Sequence, residues 1–385
     1  MIHIKKIVVK LLPFLVAVFL LSTSSASSLQ ELREDADNFW ENPDQTYEKV
    51  IERIEKVSHN NSYHGSVLIA TDDEIILFGG PKAMTTDGYP VDLVTTYNIG
   101  SCSKTFTAVA VFQLAEAGQI DLDDPVSLYF PEYETGKDIT IRHLLHMQSG
   151  IADYVNNPEG FWVNVDKNTM NQFILRTFHD EVTDEEFLEN LYAAPLDFSP
   201  GTQQDYSNTN YHILGMIVEQ ISGMSLSDYL QEYIFDPCGM EHTTAMVTGN
   251  ETSVPTAFWD LLAQGMVDEN GYTMAPNFER GAGGIHTCLA DLWAFDKALL
   301  SNRLIDGGSL EEMMRFDMGY GCGLYPYTKN AYGHSGRDGT YTTQNVIIDS
   351  EQFGRVYFIA SSPTDAGTYG LDATLQAAFA ALGAN

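Results

Sequence analysis

The chain has 385 residues, of which 44% are hydrophobic and 19% are charged, and its formal net charge is −33. This length and apolar content supply a large core, which excludes a disordered chain and favours one large domain or two closely packed ones. The negative charge excludes nucleic acid as a partner and disfavours anionic membrane surfaces, because both would repel the protein.

The first 26 residues have the pattern of a secretory signal peptide. A basic leader with three lysines is followed by an apolar run over residues 11–21 and then by small residues up to Ala26. The apolar run is shorter than the roughly 20 residues that a membrane-spanning helix needs. The sequence therefore predicts cleavage near Ala26 and a secreted or extracytoplasmic protein whose mature part covers residues 27–385. An uncleaved N-terminal membrane anchor is the alternative.

Both ends of the chain contain apolar runs whose length and flanking turn residues are typical of β-hairpins. The runs cover residues 66–70 and 74–78 near the start and residues 345–348 and 355–360 near the end. A polar, helix-forming segment precedes the first hairpin (29–57), and a helix rich in alanine and leucine follows the second (about 371–382). Strands at both ends indicate that one sheet is built from both termini.

The middle of the chain, from about residue 124 to residue 279, has mostly helical signals. Residues 211–221, for example, have apolar side chains at helical spacing, and Gly223 is placed to end that helix. Ser225 and Asp228 then resemble a capping pair for the next helix. The middle region is therefore predicted to be a helical insertion.

These signals predict an α/β (α+β) fold, in which an antiparallel sheet built from both chain ends is flanked by helices. The sheet region covers about residues 60–123 and 280–385, and the mostly helical region, about 124–279, is inserted between them. The active site is expected in the cleft where the two regions meet, because such clefts are usual places for pockets.

Ser101 and Lys104 lie at the start of a predicted buried helix. The run from Ser101 to Ala117 is apolar nearly all round at its centre, and Gly118 follows as a stop. A helix start favours a developing negative charge, and residues three apart share one face. A lysine whose pKa is lowered by burial can take a serine proton. The S-x-x-K pattern thus predicts Ser101 as nucleophile and Lys104 as its proton partner; a capping serine and a surface lysine are the alternative.

Tyr206 and Asn208 are the second pair of candidate residues. They precede a predicted helix, and residues two apart in an extended segment point to the same side. The phenol would share a proton with Ser101 and its lysine neighbour, and the amide would bind that lysine and a substrate oxygen. Tyr154 and Asn156 have the same spacing but lie in an irregular loop, so the later pair is preferred. A helix entry with a capping asparagine is the alternative.

The segment His334-Ser335-Gly336-Arg337 is the third candidate. If it forms an edge strand, its backbone can pair with a substrate, and Gly336 lets that backbone come close. The N–H of Arg337 and the N–H of Ser101 would form an oxyanion hole. His334 would donate to a substrate carboxylate or to the phenol oxygen of the second pair. A glycine-rich loop with a satisfied histidine is the alternative.

Neither the cysteines nor the histidines predict a metal site or a cofactor. The chain has four cysteines, at positions 102, 238, 288 and 322. Their spacing is too wide for a zinc knuckle, and the sequence leaves open whether they form disulfides or stay thiols. Cys102 adjoins the predicted nucleophile but would point about 100° away from it on a helix. His143 and His146 lie one helical turn apart, without a carboxylate or thiol nearby in the sequence.

In the order S-x-x-K at Ser101, Y-x-N at Tyr206 and H-x-G at His334, the three motifs resemble those of the serine β-lactamase and penicillin-binding protein family. With tyrosine in the second motif and histidine in the third, the chain is similar to the class C β-lactamase-related branch. That branch includes D-alanyl-D-alanine carboxypeptidases, D-amino-acid-specific peptidases and lactamase-fold esterases. The resemblance extends from about residue 63 to residue 381, and includes residues 118–126, 141–150 (with Met147 where histidine is common) and the glycine turn 281–285.

This resemblance implies a β-lactamase/transpeptidase-like fold and an acyl-enzyme mechanism. Ser101 would be acylated with Lys104 as its proton partner, and Tyr206 would be the general base that acts again when water attacks. Asn208 and His334 would position the substrate. Whether the lysine or the tyrosine takes the first proton stays open, because the two are coupled. His334 stands where true class C β-lactamases have lysine, which weakens a lactamase function.

The expected function is that of an exported serine acyl-hydrolase, foremost a D-Ala-directed peptidase or carboxypeptidase, with a β-lactamase or an esterase as alternatives. A penicillin-binding sensor with little turnover is the alternative of another class. The substrate would be a small molecule or a peptide, such as a peptidoglycan stem peptide, a β-lactam or an ester. No cofactor, metal or nucleic acid is expected, and peripheral association with membrane or cell wall stays open.

Overall fold

The computed structural model describes residues 51–54, 56–57, 65–79, 93–170, 173, 182–245, 279–337 and 341–384, with backbone only at 341 and 363–370. The predicted signal peptide and most of the predicted helical segment at 29–57 lie outside these residues. The part of the middle region from 246 to 278 also lies outside them. Within the described residues, no helix is both long and apolar enough to cross a bilayer.

Six of the described strands form an antiparallel sheet to which both ends of the chain contribute. In spatial order they are β2 (Ile75–Gly79), β1 (Ser66–Ala70), β9 (Gly354–Pro363), β8 (Tyr341–Ser350), β7 (Ala331–Arg337) and β6 (Tyr325–Thr328). The N-terminal hairpin joins the C-terminal strands through β1 and β9, where Leu68 pairs with Ile359. The predicted antiparallel sheet from both chain ends is confirmed.

A smaller sheet and the helices complete the fold. Among the described residues this sheet has three strands, in the order β3 (Thr96–Asn98), β5 (Ile285–Cys288) and β4 (Thr244–Ala245). The described α-helices are α1 (Ser103–Glu116), α2 (Ile141–Leu145), α3 (Pro158–Phe161), α4 (Asp184–Ala193), α5 (Asn208–Ser222), α6 (Leu226–Leu230), α7 (Asp236–Cys238), α8 (Leu289–Leu300), α9 (Gly307–Met313) and α10 (Thr364–Leu382). Helices α2 to α7 fall in the part of the chain that the sequence predicts to be helical.

The large sheet is buried on both faces. On β1, Leu68 and Ala70 pack in the core that also contains α1, whereas Val67 and Ile69 pack in a second core with α10. The second core receives apolar side chains of α10 at helical spacing: Leu371, Leu375, Ala378, Phe379 and Leu382. Because successive strand residues point to opposite faces, a slip by one residue would exchange the two cores, so this burial fixes the register.

Helix α1 is buried nearly all round, as its apolar sequence predicts. The residues from Ser103 to Phe112 are buried, and Gly118, with φ of +67°, follows the end of the helix. Phe106 stacks on Phe295 of α8 with ring centroids 3.8 Å apart. Packing on every side holds the N-terminus of α1 in a fixed position inside the molecule.

Some observed elements are longer than the sequence predicts. Strands β8 and β9 have ten residues each, because backbone pairing continues through polar positions such as Thr343 and Ser361. Helix α10 begins at Thr364 rather than at residue 371. The third motif lies on β7, which is second from the edge of the sheet, beyond the last β7 residue that pairs with β6. Among the described residues, β6 pairs only with the first part of β7, so β7 becomes an edge from His334 onward.

A buried carboxyl group ties α8 to the middle of the sheet. Asp296 of α8 accepts a hydrogen bond from Asn345 Nδ2 at 3.1 Å, and Asn345 is the register partner of His334. The other oxygens of this pair, Asp296 Oδ2 and Asn345 Oδ1, are buried without a partner among the described residues. Burial raises the pKa of Asp296 to about 7. The carboxyl is therefore mostly protonated below neutral pH, and its O–H can supply the missing donor.

Asp296→Asn is expected to gain stability relative to the wild type as the pH rises. Because the folded-state pKa of Asp296 exceeds that of an unfolded chain, about 3.9, the wild type loses up to about 1.4 kcal/mol per pH unit between the two values. Asparagine does not ionise and escapes this loss. The measurement is urea denaturation at pH 5 and pH 8. The free energy of unfolding of the variant minus that of the wild type should be larger at pH 8. An equal difference at both pH values would contradict a protonated Asp296. The control is Asp228→Asn, because Asp228 is exposed.

Candidate active site

Ser101 lies in a short 3-10 turn that leads into α1. The turn covers Gly100–Cys102, and Gly100 has φ of +49°, a left-handed conformation that suits glycine. The side chain of Asn98, at the end of β3, accepts a hydrogen bond from the Gly100 N–H at 2.8 Å and so fixes the turn. Ser101 is half-buried, which leaves part of it accessible to a substrate.

Lys104 is fully buried one turn further along the chain. Its Nζ lies 3.0 Å from Ser101 Oγ, 2.7 Å from Asn208 Oδ1 and 2.6 Å from the carbonyl oxygen of Ala282. The centroid of the Tyr206 ring lies 5.0 Å from the same nitrogen. The structure thus brings the amine into contact with the predicted nucleophile and with the amide of the second motif.

A glycine turn supplies the carbonyl that faces Lys104. Gly281 has φ of +67°, and an ideal Cβ there would lie 2.4 Å from the carbonyl oxygen of Tyr211. The hydroxyl of Thr107 on α1 donates to the Gly281 carbonyl at 2.8 Å. The glycine motif at 281–285 therefore has a physical role, which is to hold the Ala282 carbonyl against the amine.

The surroundings of Lys104 favour its neutral form. Burial lowers the pKa of Lys104 to about 7, while the negative charges of Asp153 and Glu279 act in the opposite direction. The amide and carbonyl oxygens that contact Lys104 can only accept hydrogen bonds. A neutral amine has two N–H groups for these two oxygens, which leaves its lone pair for the hydroxyl of Ser101. The geometry equips Lys104 to take a proton from Ser101.

Tyr206 contacts the same hydroxyl, with its OH 2.8 Å from Ser101 Oγ. Its ring stacks on Tyr325 and meets Tyr320 edge-on, each at a centroid distance of 6.2 Å. Burial raises the pKa of Tyr206 well above its usual value, although the bond to Ser101 acts in the opposite direction. The phenol is therefore protonated at neutral pH and can donate a proton.

The loop that carries Tyr206 is held by Met147. The N–H of Asp205 donates to the Met147 carbonyl at 3.0 Å, and the Ser207 N–H donates to the Met147 sulfur at 3.4 Å. Met147 itself has φ of 58°, a conformation that is uncommon outside glycine. The residue that departs from the resembled pattern therefore helps to place the second motif.

Asn208, the first residue of α5, links Lys104 to a buried carboxylate. Its Oδ1 accepts from Lys104, whereas its Nδ2 lies 3.0 and 3.3 Å from the two oxygens of Asp153. The expected contact with Lys104 is present, but the amide nitrogen binds this carboxylate. Sequence reasoning misses Asp153, because a single aspartate in a loop carries no pattern.

Strand β7 packs tightly against the turn that carries Ser101. An ideal Cβ on Gly336 would lie 1.7 Å from the carbonyl oxygen of Ile99 and 3.0 Å from the Ser101 nitrogen. An ideal Cβ on Gly100 would lie 2.7 Å from the Arg337 nitrogen. Backbones come this close only where a side chain is lacking. The N–H groups of Ser101 and Arg337, the expected oxyanion pair, therefore belong to directly adjoining backbone segments.

His334 is buried on β7, and both of its ring nitrogens have partners. Nδ1 faces the carbonyl oxygen of Ser335, and Nε2 lies 3.0 Å from the hydroxyl of Tyr320. A carbonyl only accepts, which assigns the proton to Nδ1 and makes Nε2 the acceptor for Tyr320. Burial, with the nearby Lys104 charge, lowers the pKa of His334 to about 3, so the ring is neutral. His334 thus binds Tyr320 and not the Tyr206 oxygen, and sequence reasoning misses Tyr320. Its contact with a substrate stays a prediction.

The side chains of Ser335 and Arg337 lie towards the outer end of β7. Ser335 is half-buried and Arg337 is exposed. An exposed guanidinium next to Gly336 has the chemistry to bind a substrate carboxylate.

The alternative pair with the same spacing has a different environment. Tyr154 is buried in an aromatic cluster, with its ring 5.8 Å from that of Phe187. Asn156 Nδ2 donates to Asp153 at 2.7 Å. Of the two candidate tyrosines, the structure places Tyr206 at the predicted nucleophile.

All four cysteines are thiols in the structure, which answers the question that their spacing leaves open. Burial raises the pKa of the Cys102 thiol, which donates to the carbonyl oxygen of His334 at 3.3 Å. A protonated, buried thiol is a poor nucleophile. Cys102 therefore has a packing role beside Ser101.

Ligand-type side chains meet around His146. Its Nε2 lies 3.2 Å from a Glu312 carboxylate oxygen and 3.3 Å from Cys322 Sγ. Both residues are far from His146 in the sequence, which therefore does not indicate these contacts. The guanidinium of Arg142 binds the same carboxylate, and its positive charge opposes a metal cation there. His143, by contrast, accepts the Thr140 N–H in a capping box at the start of α2.

A second group consists of His242, Cys288 and Asp291, whose ligand-type atoms lie within 4.8 Å of one another. Cys288 caps α8, and its sulfur accepts the Asp291 N–H at 3.4 Å. The Asp291 carboxylate accepts from the His242 N–H and the Thr243 hydroxyl, each at 2.8 Å. These contacts are those of the N-terminal cap of α8, which also fixes the turn at His242.

Comparison with known proteins gives matches along most of the chain. A family model described as Beta-lactamase matches residues 51–379. The chain is 28% identical over 285 residues to the Putative penicillin-binding protein PbpX of Bacillus subtilis (strain 168). That match covers 72% of this chain and 66% of the relative, slightly less than two thirds of the relative's own length.

Solved structures share the fold. A D-stereospecific amidohydrolase from Streptomyces sp. matches with a TM-score of 0.64 and 23% identity, over 85% of this chain and 98% of that chain. A D-amino acid amidase from Ochrobactrum anthropi SV3 matches with a TM-score of 0.65 and 22% identity, over 86% of this chain and 100% of that chain. The common architecture is a mixed α/β fold with antiparallel sheets flanked by helices.

Proposed function

This chain belongs to the beta-lactamase family, whose members are serine hydrolases, and from this premise we propose that it is an exported acyl-hydrolase that forms an acyl-Ser101 intermediate. Its substrate would be a peptide that ends in D-alanine, which makes it a D-Ala-directed peptidase or carboxypeptidase. The observation that carries the proposal is the contact of Ser101 Oγ with both Lys104 Nζ, at 3.0 Å, and Tyr206 OH, at 2.8 Å. The leader pattern of the first 26 residues supports export.

Acylation begins with Lys104 in its neutral form. The lone pair of Nζ takes the proton of Ser101 as Oγ attacks the carbonyl carbon, and the N–H groups of Ser101 and Arg337 stabilise the oxyanion. Tyr206 gives its proton to the leaving nitrogen and regains one from Lys104. In net, one proton passes from Ser101 to the leaving group, and the lysine and the tyrosine return to their neutral forms.

Deacylation uses the same groups in the opposite direction. The pair of Lys104 and Tyr206 accepts a proton from the attacking water, and a proton returns to Ser101 Oγ as the ester bond breaks. The environment supports Lys104 as the first base, because burial lowers its pKa to about 7 and raises the pKa of Tyr206 well above the usual value.

Several features favour a D-configured amide with a free carboxylate. His334 is neutral and bonded to Tyr320, so it does not offer the fixed cation that a lysine would provide at this position, which weakens the β-lactamase alternative. Arg337 is exposed beside the proposed oxyanion strand and has the charge to bind a C-terminal carboxylate. Two proteins of the same fold are, by name, a D-stereospecific amidohydrolase and a D-amino acid amidase, which supports the D configuration.

A substrate panel tests the proposed function. It contains a peptide ending in D-Ala-D-Ala, its L-Ala-L-Ala isomer, nitrocefin and a short p-nitrophenyl ester, each with the native protein and with Ser101→Ala. The D-Ala-D-Ala peptide should give the highest kcat/KM, its L isomer should be hydrolysed at least about 10²-fold more slowly, and Ser101→Ala should hydrolyse none. The measurement is the initial rate of product release at several substrate concentrations.

The same panel separates the alternatives. Equal hydrolysis by the native protein and Ser101→Ala would overturn the enzyme proposal. A higher kcat/KM for nitrocefin or for the ester would identify a β-lactamase or an esterase. A fluorescent penicillin that stays on Ser101 for hours, with no product from any substrate, would identify a sensor.

A further inference from the structure

The carboxylate of Asp153 is buried next to the catalytic groups, in a loop that no motif singles out. It accepts the backbone N–H of Asn208 at 3.1 Å and the side-chain Nδ2 of the same residue at 3.0 Å. Asn208 is the first residue of α5, so the carboxylate also lies at a helix start, where negative charge is favourable. Asp153 therefore holds both the backbone and the side chain of a residue that contacts Lys104.

Asp153 is itself held in one position. Its Oδ1 accepts the N–H of Val155 at 2.7 Å, and its Oδ2 accepts Nδ2 of Asn156 at 2.7 Å. The loop on either side is clamped to α5, because the Thr209 hydroxyl donates to the Ala152 carbonyl at 2.7 Å. With several donors on each oxygen, the carboxylate cannot rotate without breaking hydrogen bonds.

The position of this carboxylate determines which way the Asn208 amide points. The amide nitrogen faces Asp153 and the amide oxygen faces Lys104 Nζ at 2.7 Å. A flip of the amide would place its N–H₂ against the lysine N–H groups and its oxygen against the carboxylate, and both contacts would be repulsive. The hydrogen bonds to Asp153 therefore fix the observed orientation of the Asn208 amide.

We propose that Asp153 is a positioning residue for the catalytic base: it orients the Asn208 amide, whose oxygen in turn directs the Lys104 amine towards Ser101. This inference rests on the proposed function, since it assumes that Lys104 acts on Ser101. Asp153 does not touch the reacting atoms, and its positioning effect passes through Asn208.

Asp153 also acts on Lys104 through its charge. The charged and titratable groups around the amine are Asp153, Glu279, Cys102, Tyr206, Tyr211 and His334. Burial lowers the pKa of Lys104 to about 7, and Asp153 comes first among the groups that raise it. Removal of this charge should therefore lower the pKa of Lys104 further. A loss of packing alone would not have this effect.

The test is the pH profile of kcat/KM for Asp153→Asn in the full chain. We expect kcat/KM to fall by about 10²-fold, because the base is no longer held in line. We also expect the pH at which activity is lost on the acid side to move to a lower value. The matched control is Asp291→Asn, a buried carboxylate near the start of another helix, which should lower the melting temperature and leave that pH unchanged.

Two further variants keep the test decisive. In an Asn208→Ala background, Asp153→Asn should lower kcat/KM by less than about tenfold, because the amide through which it positions Lys104 is missing. If Asp153→Asn does not fold, Asp153→Glu retains the charge, so it should lose kcat while the acid side of its pH profile stays at the native value.

The outcomes separate this inference from the proposed function. An Asp153→Asn profile with native kcat/KM, or with an unshifted acid side, overturns the positioning role, provided that Ser101→Ala remains inactive. The positioning role is also overturned if Asp153→Asn lowers kcat/KM in the Asn208→Ala background by as much as it does in the native protein. Hydrolysis by Ser101→Ala at the native rate instead overturns the proposed function.

Discussion

Replacing Lys104 with methionine is expected to lower kcat/KM for an amide substrate by about 10⁴-fold while the fold is retained. Methionine fills a similar volume and has no proton acceptor. The amine is fully buried, 3.0 Å from Ser101 Oγ, and its lone pair is an acceptor within reach of the serine proton. The measurement is the initial rate of D-Ala release, with thermal unfolding recorded for both proteins.

Lys297→Met is the matched control. Lys297 is partly buried, its Nζ lies 3.5 Å from the centroid of the Trp293 ring on α8, and it makes none of the contacts described at Ser101, so this variant should keep native activity. A Lys104→Met protein that is folded and retains a tenth of the native rate would rule out lysine as the base.

In the native protein, kcat/KM should decrease as the pH falls through about 7, because protonation of Lys104 removes its lone pair.

Gly336→Ala is expected to lower kcat by about 10³-fold, through loss of the proposed oxyanion site. A methyl group at this position would lie 1.7 Å from the carbonyl oxygen of Ile99, which is fixed backbone rather than a flexible side chain. Strand β7 or the Ser101 turn must therefore move, which would separate the Arg337 and Ser101 N–H groups of the proposed oxyanion pair. The measurement is kcat together with the rate of acylation by a fluorescent penicillin.

Gly307→Ala provides the comparison for this substitution. Gly307 begins α9, and an ideal Cβ there would lie 3.7 Å from Asn302 Nδ2, an ordinary contact. That variant should therefore acylate at the native rate. Native acylation by Gly336→Ala would mean that the two N–H groups do not form the oxyanion site.

The reacting groups are predictable from the sequence because they depend on local spacing. Ser101 and Lys104 lie one turn apart, so their contact follows from the helix alone. Tyr206 is distinguished from Tyr154 because a helix follows it directly. The apolar periodicities likewise predict both hairpins and the buried helix, whereas the polar run of Thr342 and its neighbours conceals the full length of β8.

The supporting groups are not predictable in this way, because they reach the site through tertiary contacts. Asp153 binds Asn208 across 55 positions of the chain, and the Ala282 carbonyl reaches Lys104 across 178. Tyr320 meets His334 from a turn outside the regular elements. Neither Asp153 nor Tyr320 has a spacing that marks it, and the glycine turn that contains Ala282 does not itself indicate which group its carbonyl faces. Their roles depend on how the sheet and the helices pack, which a motif does not contain.

The enclosure of the thiols has a kinetic consequence. Cys102, Cys288 and Cys322 are buried and Cys238 is half-buried, so an alkylating reagent reaches the first three only when the surrounding structure opens. Alkylation rates thus report the opening of the serine turn, the α8 cap and the core around Cys322, with Cys238 as the fast reference. In the oxidising compartment that the proposed export implies, the chain has to complete folding before these thiols pair with one another.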